Sequence, residues 1–375
     1  MRTPSIAIIG AGAFGGWTAL HLLRRGAKVQ LFDAWGPGNS RASSGGETRI
    51  IRGTYGGDQP YTRMAVRALR LWRDYEQGSG HKLLHRTGVL WMARAGDDLF
   101  ERDSLPVLTE AGVPFEQLGP AELRRRWPHI NFDGVNWAIF EPESGFLTAR
   151  VACQRVLETF IAEGGEYRQA SVVNDSLDDT WEDLSLSDDS QVAADLYVFA
   201  CGPWMGKLFP HSLGSLIRPT KQDVLFFGTP AGDTRFTAGE CPVWADHGDR
   251  FFYGMPANRG HGFKIASDVR GPAFDPTRGE RVVGDENLQA ARDYVGYRFP
   301  ALKDAPLLET RVCQYEDTPD AHFIVDRHPE RENVWLVGGG SGHGFKHGPA
   351  LGELVAELIL EQRKPEPWFQ LARFR

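Results

Sequence analysis

Cysteine is scarce: four in 375 residues, Cys153, Cys201, Cys241 and Cys313, far apart and without a C-x-x-C pair. That indicates neither a disulfide framework nor a zinc site, and leaves each thiol the default role of a small buried hydrophobe. Long hydrophobic runs are missing too, since no stretch approaches the ~18 uncharged apolar residues that a membrane span needs. No basic, apolar, small-residue leader precedes the first strand-like segment, so the cytoplasm is the expected compartment. Positive charge is not in excess: 42 Lys and Arg against 49 Asp and Glu give a net charge of -7. Nucleic acid and anionic membrane are therefore not expected partners. A chain of this length with 41% hydrophobic and 24% charged residues is an ordinary globular protein, and its length suggests two domains.

Glycine, by contrast, is concentrated where it carries information. Ser5-Ile6-Ala7-Ile8-Ile9 runs into Gly10-Ala11-Gly12-Ala13-Phe14-Gly15-Gly16 and then into an apolar-periodic stretch ending at Gly26. The pattern is strand, glycine turn, helix. Gly10 permits the turn, Gly12 lets the backbone approach a pyrophosphate, and Gly15 lets helix and strand pack closely, while the helix N-terminus offers free N–H groups. A second strand, Lys28-Val29-Gln30-Leu31-Phe32, delivers Asp33 about twenty residues on, where an acid accepts hydrogen bonds from a ribose diol. Together these predict an adenine dinucleotide site.

Beyond a Gly/Pro loop at residues 35–40, the run Arg41-Ala42-Ser43-Ser44-Gly45-Gly46-Glu47-Thr48-Arg49-Ile50-Ile51-Arg52 has small hydroxyl residues beside arginines. It reads either as a solvated basic loop or as a loop laid against an anion. Residues 61–75 and 148–163 have helical apolar spacing, as does the final helix, expected over 349–360. The triple arginine at 124–126 is expected to be a solvated helix face, and the acid-rich piece at 175–189 to be weakly packed strands and turns without a function. Residues 195–204 read as a buried strand ending in a glycine turn. After Pro219 the composition becomes aromatic and strand-like at 224–227, 251–256 and 262–266. Lys264 sits there among apolar and small residues, either an edge-strand lysine or one with a task.

The glycine fingerprint, the Ser43-to-Arg52 run, Thr87-Gly88-Val89-Leu90, Cys313-Gln314-Tyr315 and Gly342-His343-Gly344-Phe345-Lys346 resemble the monomeric sarcosine oxidase family of flavoenzymes. The group includes N-methyltryptophan, pipecolate and fructosyl-amino-acid oxidases. The likeness runs in the same order from first strand to last helix. It implies an α/β fold of the D-amino-acid-oxidase-like superfamily: a Rossmann-like, glutathione-reductase-type FAD domain over 1–84, 146–219 and 318–375, and a substrate domain built on a mixed sheet over 85–145 and 220–317. It also implies oxidation of a secondary amine or N-substituted amino acid by hydride transfer to flavin, imine hydrolysis, and reduction of O2 to hydrogen peroxide by a monomer.

Residue by residue, the resemblance places FAD against Gly10, Gly12, Ala13, Phe14, Gly15, Asp33, Ser43, Ser44, Thr48, Arg49, Cys201, Gly202, Trp204, Gly342, His343, Gly344, Phe345 and Lys346. It joins Cys313 to the flavin through sulfur. Lys264 is given the oxygen-activating role, with Arg49 and Tyr315 beside the reacting ring. Arg52 and Lys346 become a cationic pair for a substrate carboxylate, near Tyr253. The chain departs from the family's sarcosine oxidases at two positions, where it carries Gly45 and Asp268 in place of histidines. These substitutions predict a roomier, more acidic pocket and a larger substrate than sarcosine. Three other readings stay open: an FAD enzyme passing electrons to an acceptor other than O2, a nicotinamide dehydrogenase, which would leave Cys313 and Lys346 without a role, and a non-catalytic FAD-binding protein.

Overall fold

A computed structural model describes residues 4–173, 177–178, 181, 183–247 and 251–375. Within the acid-rich segment, Asp175, Asp179 and Glu182 lie outside the described residues. Beyond them, Leu184–Ser185 pairs with Gln191–Val192 in a two-stranded ribbon.

The fold is α/β and rests on two sheets. In the first, six strands run in the order Ile324–His328, Arg331–Gly338, Leu196–Phe199, Ser5–Ile9, Lys28–Phe32, Glu166–Arg168. All neighbours are parallel except the antiparallel pair at 324–338. The central Ser5–Ile9 strand is apolar on both faces because helices Ala13–Arg24, Ala149–Ala162 and Gly348–Ile359 pack one side and the Trp181, Phe199, Phe209 cluster fills the other. The glycine turn has a steric cause. Gly10 has φ +107°, and a Cβ there would stand 2.4 Å from the Ala200 carbonyl oxygen; at Gly15 it would stand 1.8 Å from the Gly10 oxygen.

The second sheet has eight strands, in the order Leu307–Asp317, Arg218–Phe227, Phe263–Ser267, Phe252–Met255, Val243–Asp246, Val89–Arg94, Val135–Glu141, Glu116–Leu118. It is mixed, with a single parallel pairing between 243–246 and 89–94 among its described neighbours. One aromatic core backs it, including Trp244, Phe263 and Phe299. A three-stranded sheet of Arg49–Ile51, Gly145–Leu147 and Leu84–His85 supports the arginine-bearing segment.

Several boundaries differ from the sequence reading. Glu316 and Asp317 belong to the Leu307–Asp317 strand and pair with Pro219 and Arg218. The Arg218–Phe227 strand accordingly begins well before Val224. Two elements gave too little signal to be expected: Val243–Asp246 is short and buried at every position, and helix Asp285–Arg298 buries only Ala291, Val295 and Arg298. The arginines at 124–126 do form a solvated face at the end of Pro120–Arg126, Arg125 and Arg126 pairing with Glu122.

Candidate active site

Two cavities meet above the C-terminal ends of the first sheet. One is lined by the residues of the glycine turn (Gly10, Gly12, Ala13, Phe14), by Asp33, by Ser43, Ser44 and Arg49, by Cys201, Gly202 and Trp204, and by Tyr315, Gly342, Gly344 and Phe345. The second is lined by Arg52, Tyr253, Lys264, Asp268, His343 and Lys346, with an aromatic wall of Trp91, Phe100, His247 and Phe251. Arg49, Tyr315, Gly342 and Phe345 border both. That shared rim is where a ring held in the first cavity meets a molecule held in the second.

The first cavity suits a dinucleotide. Helix Ala13–Arg24 is capped by Gly12 without any side-chain acceptor, so its leading N–H groups face the cavity unsatisfied. Asp33 is fixed by the Ala11 N–H at 2.8 Å and the Trp35 N–H at 2.9 Å, and burial lifts its carboxyl above the usual range. Trp35 and Trp204 pack against each other with ring centres 5.0 Å apart at the same end. The Ser43 hydroxyl and one Glu316 oxygen are buried without a hydrogen-bond partner among the described residues. An anion- and hydroxyl-bearing ligand supplies what these groups lack.

Cys313 lies on the strand of Tyr315, which borders both cavities, but itself lines neither. Arg49 Nη2 donates to its sulfur at 3.1 Å and to the Ser43 carbonyl at 2.6 Å. A fixed guanidinium beside sulfur is the electrostatic condition for a reactive thiolate. Lys264 is buried, and its ammonium donates to the Thr48 carbonyl at 3.0 Å and the Thr48 hydroxyl at 3.3 Å. Burial, reinforced by Arg49, pulls it down to about 7. Thr48 therefore acts here as the anchor of Lys264; neither it nor Cys313 is part of the first cavity's wall.

In the second cavity the Arg52 guanidinium lies over the Tyr55 ring at 4.0 Å and the Trp91 ring at 4.7 Å and bonds the Thr54 carbonyl. Lys346 Nζ donates to the Tyr55 hydroxyl and the His343 carbonyl, both at 2.7 Å. Burial and Arg52 hold the Lys346 ammonium well below its usual value. Burial likewise keeps His343 and His347 well below theirs. Opposite, Asp268 accepts from the Tyr315 hydroxyl at 2.9 Å and pairs with Arg270 at 3.1 Å, while the Tyr253 and Tyr315 hydroxyls stand 3.3 Å apart. Burial raises the Asp268 carboxyl.

Two expectations need correction. Gly45 borders neither cavity. Its carbonyl is bound by Arg150 at 2.9 and 3.1 Å, and a Cβ would stand 1.9 Å from the Asn39 carbonyl oxygen, so its lack of a side chain serves loop packing and leaves the substrate space unchanged. Gly15 also stays off the cavity, as a helix-packing glycine. Residues the sequence did not single out include Glu316 in the first cavity and Arg270, His247 and Phe251 in the second, none of them part of a local motif.

The profile of the DAO family, described as FAD dependent oxidoreductase, matches residues 5–358. The chain belongs to this family. It is 30% identical over 366 residues to monomeric sarcosine oxidase of a Bacillus species, covering 95% of this chain and 92% of that one. It is 27% identical to N-methyl-L-tryptophan oxidase of Yersinia pestis, over 99% of both chains. Among solved structures, L-proline dehydrogenase from P. horikoshii superposes with a TM-score of 0.85 at 22% identity, covering 100% of this chain and 98% of the other. Amadoriase I from Aspergillus fumigatus gives 0.81 at 23% identity, over 98% and 89%. This FAD dependent oxidoreductase is thus an amine oxidase of the sarcosine and N-methyltryptophan oxidase group, and the unsatisfied groups of its first cavity fit the family's cofactor.

Proposed function

We propose that this oxidoreductase acts on the C–N bond of an N-substituted amino acid whose carboxylate is held between Arg52 and Lys346. The observation carrying this reading is that both cations face one cavity and neither has a carboxylate at ion-pair distance among the described residues. Lys346 is buried beside a half-buried Arg52, whose charge disfavours its ammonium, and a bidentate anion between them offsets that cost. When bound, FAD supplies the two-electron acceptor for the carbon next to nitrogen, and we assign O2 as the final acceptor, giving hydrogen peroxide.

The protein's contribution is placement and charge. Arg52 and Lys346 fix the carboxylate, and Tyr315, Tyr253 and Asp268 form the facing wall, turning the amine toward the shared rim at Arg49, Tyr315, Gly342 and Phe345. Asp268 adds negative charge to this wall. The aromatic group of Trp91, Phe100, His247 and Phe251 lies behind Arg52, leaving room for a substituent larger than methyl. Sarcosine is therefore a poor match and a bulkier secondary amine a better one. Lys264, charged below about pH 7, meets oxygen. Arg49 activates the Cys313 sulfur, and we assign the cofactor a covalent link there.

We divide the chain into an FAD domain of 1–84, 146–219 and 318–375 and a substrate domain of 85–145 and 220–317, because each set of segments supplies the strands of one large sheet. A monomer is the assembly assigned. Purified protein given a panel of N-substituted amino acids should release peroxide on at least one of them. Bound flavin without peroxide on any amine defeats the oxidase assignment.

A further inference from the structure

Glu316 is a buried acid on the wall of the first cavity, 7% exposed, with one oxygen accepting the Gly340 N–H at 3.0 Å and the other without a hydrogen-bond partner among the described residues. The free oxygen stands against Gly202: a Cβ built on that glycine would lie 2.7 Å from it. Glu316 thus sits between the turns that follow strands Leu196–Phe199 and Arg331–Gly338.

Strand order then fixes which part of a dinucleotide reaches it. The sequence of neighbours is 331–338, 196–199, 5–9, 28–32. A pyrophosphate belongs at the end of Ser5–Ile9, over the uncapped helix start. Asp33, one strand to one side, meets the adenosine ribose. A chain leaving the pyrophosphate in the opposite direction passes the ends of 196–199 and 331–338 and reaches the rim at Tyr315, two residues after Cys313 on the same strand. With strands about 4.8 Å apart, Glu316 and Asp33 are separated by roughly 12 Å across the sheet. The part of FAD that spans from pyrophosphate to the ring system is its ribityl chain, a run of hydroxyl groups.

We propose that the free carboxyl oxygen of Glu316 holds the ribityl hydroxyls of FAD, as Asp33 holds the ribose diol at the other end. A buried carboxyl oxygen with no partner needs a donor, and a polyol supplies one without adding charge. Burial raises the Glu316 carboxyl to about 7. A hydroxyl can donate to the ionised form and accept from the protonated one, so the contact survives on both sides of that value. The inference rests on the family's FAD and is independent of which amine is oxidised.

The test uses a Cys313→Ala background, so that cofactor exchange is reversible, and reads FAD affinity by flavin fluorescence quenching and ADP affinity of the cofactor-stripped protein by calorimetry. Glu316→Leu should weaken FAD about 10–100-fold, and Glu316→Gln about fivefold, both leaving ADP within twofold. An FAD analogue with an unhydroxylated alkyl chain in place of the ribityl should bind the parent and Glu316→Leu alike. FAD affinity unchanged in both variants, or FAD and ADP affinities falling together, overturns the assignment. Should Glu316→Leu fail to fold, Glu316→Gln decides by the same two affinities. Failure of the amine panel leaves this result untouched, which separates the two claims.

Discussion

Arg49 Nη2 lies 3.1 Å from Cys313 Sγ, although the two residues are 264 positions apart in the chain. The contact joins the first residue of the Arg49–Ile51 strand to the outermost strand of the second sheet. Arg49 itself lines both cavities.

A covalent flavin at Cys313 should survive acid precipitation, leaving the protein pellet yellow and a flavin-peptide mass adduct on the Cys313 peptide. Arg49→Leu should slow attachment during reconstitution with FAD, since the positive charge beside the sulfur is gone. FAD recovered free in the supernatant with an unmodified Cys313 peptide rules the linkage out.

Lys264→Met should slow reoxidation by oxygen by about 10²–10³, the usual effect of removing one positioned group at a developing charge, with anaerobic reduction much less affected. Stopped-flow traces of the two half-reactions separate these. The same substitution has a stability signature. Folding depresses Lys264 from 10.5 to about 7, so between those values the unfolded chain binds the extra proton and stability rises with pH. In cofactor-free protein this rise, at most about 1.4 kcal/mol per pH unit, should shrink in Lys264→Met when unfolding is measured from pH 7 to 10.

Gly45→His should lower stability by about 1–3 kcal/mol without changing substrate preference, because the new Cβ meets the Asn39 carbonyl and no cavity wall. Thermal unfolding and a substrate panel on the same preparation check both halves. A folded variant of unchanged stability that now favours the smallest amines would place residue 45 in the pocket after all.

Asp268→Asn keeps the shape of the side chain and removes its charge from beside Tyr315. Substrates bearing a second positive charge or hydroxyls should lose kcat/KM by about tenfold relative to plain N-methyl amino acids, as expected for a charged hydrogen bond made neutral. Equal losses across the panel assign Asp268 to holding Tyr315 in place.

The glycine turn, Asp33 and the helices at 59–79, 149–162 and 348–359 were legible because each is a local pattern or a short motif. What the sequence hid depends on tertiary pairing. Nothing near Lys264 announces Thr48 as its partner, 216 positions away. Gly45 shows how a residue-type comparison misleads: absence of a side chain reads as space, whereas its backbone neighbours fill that space. Glu316 carries no such signal: its place on the cavity wall comes from the pairing of the Leu307–Asp317 strand with Arg218–Phe227.

Whether Arg52 and Lys346 hold a substrate carboxylate is decided by anaerobic flavin bleaching with an N-substituted amino acid and with its amide. The parent enzyme should be reduced by the acid with kcat/KM at least tenfold above that for the amide. Arg52→Ala and Lys346→Ala should each lose about 1.5–3 kcal/mol of transition-state binding on the acid and little on the amide. Equal losses on both compounds contradict the carboxylate assignment and place the substrate outside the amino acids.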